Sequence, residues 1–175
     1  MRRKGLDLLV EAWQHLLEKI PTLDCRLLLL GYGNDAEEFR RLLASANNPT
    51  IKWFAEYTND RRRIQEFLST GDVYVFPSRH EGFPLAPIEA MSSGLPVLAT
   101  DAPGISDILG NGSDSGGIVV AMEDVAALAA NLEKLFFDAR LRLEMGEKAR
   151  RRAESAFSVE KVGKQLRDFI ERNSE

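Results

Sequence analysis

The sequence is poor in the residue types that would point to several common kinds of chemistry. Cys25 is the one cysteine among 175 residues. That excludes an intrachain disulfide and any cysteine-rich zinc site, and it fits a reducing compartment with the thiol in the core. Histidine is nearly as scarce: His15 and His80 stand alone, and no group of His, Cys and carboxylates has metal-ligand spacing. Long hydrophobic runs are missing too. The longest uncharged stretch, from Ala90 to Thr100, is broken by Gly94 and Pro96 and falls far short of the roughly 20 apolar residues a membrane span needs. No signal-peptide pattern is read at the start. Nor is there an excess of positive charge: 23 Lys and Arg against 27 Asp and Glu leave −4, with a pI near 5.4. Nucleic acid is therefore not an expected partner, and any anion site must be local.

What is present suits one packed domain over residues 1–175. Hydrophobic residues make up 44% of the chain, with 13 Gly and 7 Pro, too apolar a balance for disorder. Leu6, Leu9, Val10, Trp13, Leu16, Leu17 and Ile20 fall on one helical stripe that Pro21 stops. The run 26–31, rich in leucine, reads as a strand buried on both faces. Helical spacing returns at Phe39, Leu42, Leu43 and Ala46, followed by a strand at 51–55, a helix at 64–68 and a strand at 72–76. A helix at 87–93, a strand at 97–99, a helical turn at 105–109 and a strand at 117–120 complete the alternation, and the rest is helical, with a last helix at about 158–172. Alternation with short connections predicts an α/β fold, a Rossmann-like doubly wound parallel sheet with helices on both faces. Ligands of such sheets bind beyond the carboxyl ends of the strands, here just after Leu30, Ala55, Phe76 and Thr100. The chain enters its first helix directly from Met1-Arg2-Arg3-Lys4-Gly5, whereas the helices that follow, as far as residue 94, each come after a strand. We therefore expect a first strand to be truncated, with a gap or an exposed sheet edge in its place.

The most informative segment follows the strand at 72–76 and runs from Pro77 to Met91. Pro84 and Pro87 are tolerated where a helix begins, and Gly82 permits a tight turn before it. The amides of Gly82, Phe83 and Leu85 would then face outward at the positive end of a helix, a position that suits a phosphate. Glu81 precedes the helix and Glu89 lies within it, too far apart to share a proton. Each could accept two hydrogen bonds from neighbouring hydroxyls, as in a ribose or a sugar; equally, Glu81 could be a capping charge and Glu89 a solvent-facing side chain.

The runs Glu81-Gly82-Phe83-Pro84, Ile88-Glu89-Ala90-Met91, Gly94-Leu95-Pro96-Val97 and Gly104-Ile105-Ser106-Asp107 together resemble the group 1 glycosyltransferases, also called glycosyltransferase family 4. Lys4-Gly5, Gly31-Tyr32-Gly33, the strand ending at Ser78, Gly117-Ile118-Val119-Val120 and Ala149-Arg150 add to the likeness, which covers nearly the whole chain. It implies the C-terminal, donor-binding domain of a two-domain GT-B enzyme that transfers a sugar from a nucleoside-diphosphate donor with retention, in polysaccharide, lipid or other glycan synthesis. By position, Glu89 would hold the ribose hydroxyls, Glu81 would contact the donor sugar, Lys4 would neutralise the leaving phosphates, and Ser78 would join the donor site. No metal or other cofactor is implied. The N-terminal half, which would bind the acceptor and bring a catalytic histidine, is outside this chain, so the isolated domain should bind a nucleotide weakly and transfer nothing. Asp107 stands where the family has Glu, and Ala55 where it often has Gly.

Other candidates each carry a plain alternative. Gly31 and Gly33 could approach the diphosphate or form only a turn; a dinucleotide fingerprint would want a third glycine. Tyr57 could border the base or sit in an exposed loop. Arg61-Arg62-Arg63 and Arg150-Arg151-Arg152 could meet acidic lipids or be solvated helix faces beside Glu66, Glu147 and Glu154. Val159, Val162, Leu166, Phe169 and Ile170 most simply join the core, or remain exposed and support a homodimer. The expected location is the cytoplasm, with peripheral contact to the cytoplasmic membrane for the whole enzyme. Two rival functions remain: a noncatalytic nucleotide-binding or interaction module, and a sugar-nucleotide epimerase of related architecture.

Overall fold

A computed structural model describes residues 2–110 and 112–173. After a 3-10 turn at Arg2–Lys4, helices α1 (Leu6–Lys19), α2 (Ala36–Ala46), α3 (Arg61–Leu68), α4 (Leu85–Ser92) and α5 (Ile105–Leu109) alternate with strands β1 (Leu27–Leu30), β2 (Ile51–Phe54), β3 (Tyr74–Phe76) and β4 (Val97–Thr100). Strand β5 (Gly117–Val120) leads into α6 (Val125–Phe137), α7 (Ala139–Phe157) and α8 (Val159–Arg172). Every strand pairing is parallel. Aspartate and serine side chains start several helices as sequence chemistry dictates: Asp60, Asp124, Asp138 and Ser158 each accept a first-turn N–H.

Strand β4 is the spine. It lies between β3 and β5, with Val97 opposite both Tyr74 and Gly117, and all four of its residues are buried. Side chains alternate across a strand, so Val97 and Ala99 enter one core cluster with Met91, Ile105 and Ala149, from α4, α5 and α7. Leu98 enters the other, with Leu9, Trp13 and Leu16 of α1 and Leu128, Leu132 and Leu135 of α6. Helices on both faces make the sheet doubly wound.

The sheet is not one continuous ladder. Among the described residues β1 pairs with β2, β3 with β4 and β4 with β5, in two separate sheets. This corrects the expectation that the leucine run is buried on both faces: Leu27 is buried, but Leu28, Leu29 and Leu30 are only half-buried, because β1 has a neighbour on one edge alone. Cys25 is likewise half-buried against the α1–α6 cluster rather than within it. In α8 the apolar stripe lies outside the core: Val159, Val162, Leu166, Phe169 and Ile170 are all exposed. The basic runs are mainly solvated faces, with Arg62 paired to Glu66, Arg150 to Glu154 and Arg151 to Glu147. Arg152 differs, for it donates to the carbonyls of Ile108 and Asp107 and so closes the end of α5. No described helix is long and apolar enough to cross a membrane.

Candidate functional site

The site is assembled where β3 ends. Phe76 is the last residue of the strand, and Pro77 and Ser78 continue it as buried chain. Two buried hydroxyls fix this exit: Thr100, at the end of β4, donates from Oγ1 to the carbonyl of Ser78, while the Ser78 hydroxyl lies against Oε1 of Glu81 and 3.2 Å from the carbonyl of Arg3. Holding one proton, that hydroxyl serves one of its two acceptors at a time.

The turn at Arg2–Lys4 is brought to the same place by the backbone. The N–H of Arg79 donates to the carbonyl of Arg3 at 2.9 Å. Gly5, at φ 64°, then turns the chain into α1 so closely that a Cβ there would lie 1.7 Å from the carbonyl oxygen of Pro77. Lys4 consequently reaches Glu81, Nζ to Oε1 at 2.7 Å, although 77 positions separate them. The Lys4 side chain is half exposed, whereas Glu81 retains 9% of its side-chain exposure. Burial pushes the Glu81 carboxyl up, but the hydrogen bonds from Lys4 and Ser78 and the charges of Lys4 and Arg3 prevail, holding it below the usual carboxylate value. At neutral pH it is an anion that accepts hydrogen bonds and has no proton to give.

Downstream, the backbone N–H groups of Gly82 and Phe83 have no main-chain acceptor among the described residues, and that of Leu85, the first residue of α4, has none within the helix. They stand at the positive end of α4 beside Pro84. Gly104, at φ 84°, supports this loop: a Cβ there would lie 2.2 Å from the Gly82 carbonyl oxygen. The side chains of Phe83 and Leu85 are exposed, and Phe83 rests on Phe157 edge to face, at 6.1 Å between centroids. Glu89 is exposed on α4, with no ion pair or side-chain hydrogen bond among the described residues. It stands near the hydroxyl of the half-buried Tyr74, which desolvation, Glu89 and Glu81 together push upward.

Of the residues singled out in the sequence, Lys4, Ser78 and Glu81 are in direct contact, and Gly82, Phe83, Leu85 and Glu89 extend the same surface. Gly31, Gly33 and Tyr57 follow β1 and β2 in the other sheet. Gly31 accepts from Trp53 through its carbonyl at 2.9 Å, and Tyr57 is 81% exposed; neither they nor Gly33 touch the Lys4–Glu81 cluster. The sequence reading missed Arg79, Asp7 and Glu123. Arg79 forms a two-pronged pair with Asp7 across 72 positions and another with Glu123 across 44. No spacing rule spans such separations. Glu123 did offer a structural signal, a non-glycine residue at φ 64°.

These ion pairs predict acid sensitivity. Burial raises Asp7, but Arg79 outweighs it and lowers the carboxyl overall; Glu123 is lowered by its hydrogen bonds from Arg79. With Glu81, three carboxyls thus have folded values below their ordinary 3.8 or 4.5. Their contribution is complete above those ordinary values and disappears as pH falls through the folded ones. Thermal melts should therefore be flat from neutrality down to about pH 5 and fall below it. The Asp7→Asn protein, less stable at neutrality, should converge on the unsubstituted protein in acid. Parallel curves would mean that the Asp7 pair does not contribute.

Comparison with known proteins is consistent with this geometry. The family model described as glycosyl transferases group 1 matches residues 1–152. A lipopolysaccharide core biosynthesis mannosyltransferase of Rhizobium meliloti (strain 1021) is 32% identical over 147 residues, 81% of this chain and 40% of that protein. A crystal structure of a S. aureus TarM mutant in complex with Fondaparinux, alpha-GlcNAc-glycerol and UDP superposes with a TM-score of 0.84 at 24% identity, over 96% of this chain and 33% of that one. The C-terminal domain of a glycosyl transferase group 1 family protein from Francisella tularensis superposes at 0.77 with 24% identity, over 91% and 82%. The chain spans about two-fifths of the length of the curated relatives it matches.

Proposed function

The chain belongs to the group 1 glycosyl transferases, and from that premise we propose that it is the half of such an enzyme that binds a nucleoside-diphosphate sugar and releases it for retaining transfer to an acceptor held by a second domain. The observation that carries this reading is the convergence of the Lys4 ammonium, the Glu81 carboxylate and the amides of Gly82 and Phe83, which have no main-chain acceptor among the described residues, at the end of β3. When the donor's glycosidic bond breaks, negative charge accumulates on the departing diphosphate. A lysine and amides held in place beforehand stabilise that charge without reorganising. In this reading Lys4 and the amides, with no divalent ion, meet the phosphates. Glu81, being ionised, accepts hydrogen bonds from sugar hydroxyls. Glu89, without an ion pair or side-chain hydrogen bond among the described residues, takes the ribose diol, and Tyr57, Gly31 and Gly33 border the nucleotide from the far side. The reading places the chain in the cytoplasm, in accord with the free thiol of Cys25, and the whole enzyme at the cytoplasmic membrane when its acceptor is a lipid.

The reading is tested on the chain itself. Titration calorimetry with UDP, GDP and ADP should find one that binds, and Glu89→Ala should weaken it by about tenfold or more, the loss of a charge-assisted pair of hydrogen bonds. Failure of all three to bind, or an unchanged affinity in Glu89→Ala, would overturn the site.

A further inference from the structure

An arginine beside an anion site is ordinarily taken as a phosphate ligand, but the geometry points to another role for Arg79: it is a positioning residue that holds Lys4 in place, and it has no hydrogen-bond donor left for a ligand. This inference rests on the donor-site reading above for what Lys4 does. A guanidinium carries five N–H donors. In Arg79, Nη1 donates to the carbonyl of Arg2 at 2.6 Å and to Oδ1 of Asp7 at 2.7 Å. Nη2 donates to Oδ2 of Asp7 at 2.9 Å and to Oε2 of Glu123 at 3.0 Å, and Nε donates to Oε1 of Glu123. Every donor is engaged, and two carboxylates more than offset the single positive charge.

The partners come from three places: the Arg2–Lys4 turn, the first turn of α1 and the segment before α6. Arg79 follows Ser78 and, through its main-chain N–H, also binds the Arg3 carbonyl. It therefore clamps the residues on either side of Lys4 to the exit of β3, which is what allows a flexible four-carbon side chain to be found 2.7 Å from Glu81. Glu123 keeps a left-handed backbone, φ 64°, a conformation that is unfavourable for a non-glycine residue and persists only where the surroundings require it. The fork of Arg79 supplies that requirement. Lysine, a point charge with three donors, could not bridge the same partners.

The test combines a readout free of nucleotide with one that uses it. In Arg79→Gln, the rate at which an N-hydroxysuccinimide ester acylates Lys4, followed by mass spectrometry, should rise about threefold or more as the fork is lost, with Lys19, paired to Glu133, as an internal reference that does not change. The preference for a nucleoside diphosphate over its monophosphate should fall about tenfold, as expected when one charged contact is disordered. In a Lys4→Ala background the same substitution should leave that preference unaltered. If Arg79→Gln does not fold, Arg79→Lys is read in the same way. Unchanged Lys4 acylation in a folded variant overturns the inference. So does an equal loss of diphosphate preference with and without Lys4, since Arg79 would then act on the phosphates directly. Faster acylation of Lys4 in a chain that binds no nucleotide supports the clamp and overturns the donor-site reading instead.

Discussion

Replacing Gly5 by alanine is expected to be the most destabilising single methyl addition in this chain that also reaches the site. The residue adopts φ 64°, and a Cβ built on it would sit 1.7 Å from the carbonyl oxygen of Pro77 and 2.6 Å from the carbonyl carbon. Neither neighbour is the free end of a side chain, so relief requires moving the start of α1 away from β3, against the packing of Leu9, Trp13 and Leu16 in the core. Backbone strain of about 1–3 kcal/mol combines with this separation, and a total loss of about 3 kcal/mol corresponds to a fall in Tm of roughly 10 °C for a domain of this size. Gly33→Ala is the control, because a Cβ there meets nothing within 4 Å and φ is not in the left-handed region; its Tm should change by no more than a degree or two. Since Gly5 follows Lys4 directly, whatever nucleotide affinity the folded Gly5→Ala fraction retains should also be reduced. Equal melting of the two variants would show that the close approach of α1 to β3 does not support the fold.

The difference between these glycines also marks what could be read from sequence. Periodicity and short apolar runs located the five strands, the helices as far as α5 and the last helix to within a few residues, because Leu9, Trp13 and Leu16 recur at helical spacing and Val97, Leu98 and Ala99 form an apolar run after a turn, whereas α6 and α7 were legible only as a helical remainder without bounds. The run from Glu81 to Glu89 could likewise be placed at a strand exit and helix start, since Pro84 and Gly82 punctuate the backbone. The Lys4–Glu81 contact was legible only as two positions of a family pattern. Spacing could not bring them together, because the fold joins them across 77 residues through the β3 exit. Arg79 lies between Pro77 and Met91 yet carries no signal in the sequence, as its partners Asp7 and Glu123 are set by packing of α1 and of the β5–α6 connection. The half-buried leucines of β1 were misjudged for a related reason. Composition reports that a strand is apolar, but the number of its neighbours decides how much water reaches it.

Conversion of Glu81 to glutamine should separate binding from transfer, and in opposite directions. The carboxylate now holds Lys4 at 2.7 Å, so under the proposed function an arriving diphosphate must compete with it for the same ammonium while approaching a fixed negative charge. Removing that charge frees Lys4 and lessens the repulsion, and nucleoside diphosphate affinity is expected to stay the same or rise by about threefold at low salt, with the gain shrinking as salt screens the site. Transfer behaves otherwise. In the transition state the sugar becomes electron-poor, and an anion accepting hydrogen bonds from its hydroxyls stabilises it more than it stabilises the ground state, so only the carboxylate lowers the barrier. Loss of one preorganised charged contact costs about 10²-fold or more in kcat. In a full-length enzyme that carries the acceptor-binding half proposed above, Glu81→Gln should therefore show kcat down by about 10² with KM for the donor unchanged or lower. Glutamine is nearly the same size, so Ser78 and the β3 exit keep a partner, and at neutral pH the Tm should fall only by the modest amount that the half-exposed Lys4 pair contributes. If affinity and transfer fall together by the same factor, Glu81 contributes uniform binding and the charge carried by Lys4 is the remaining source of catalysis at this site.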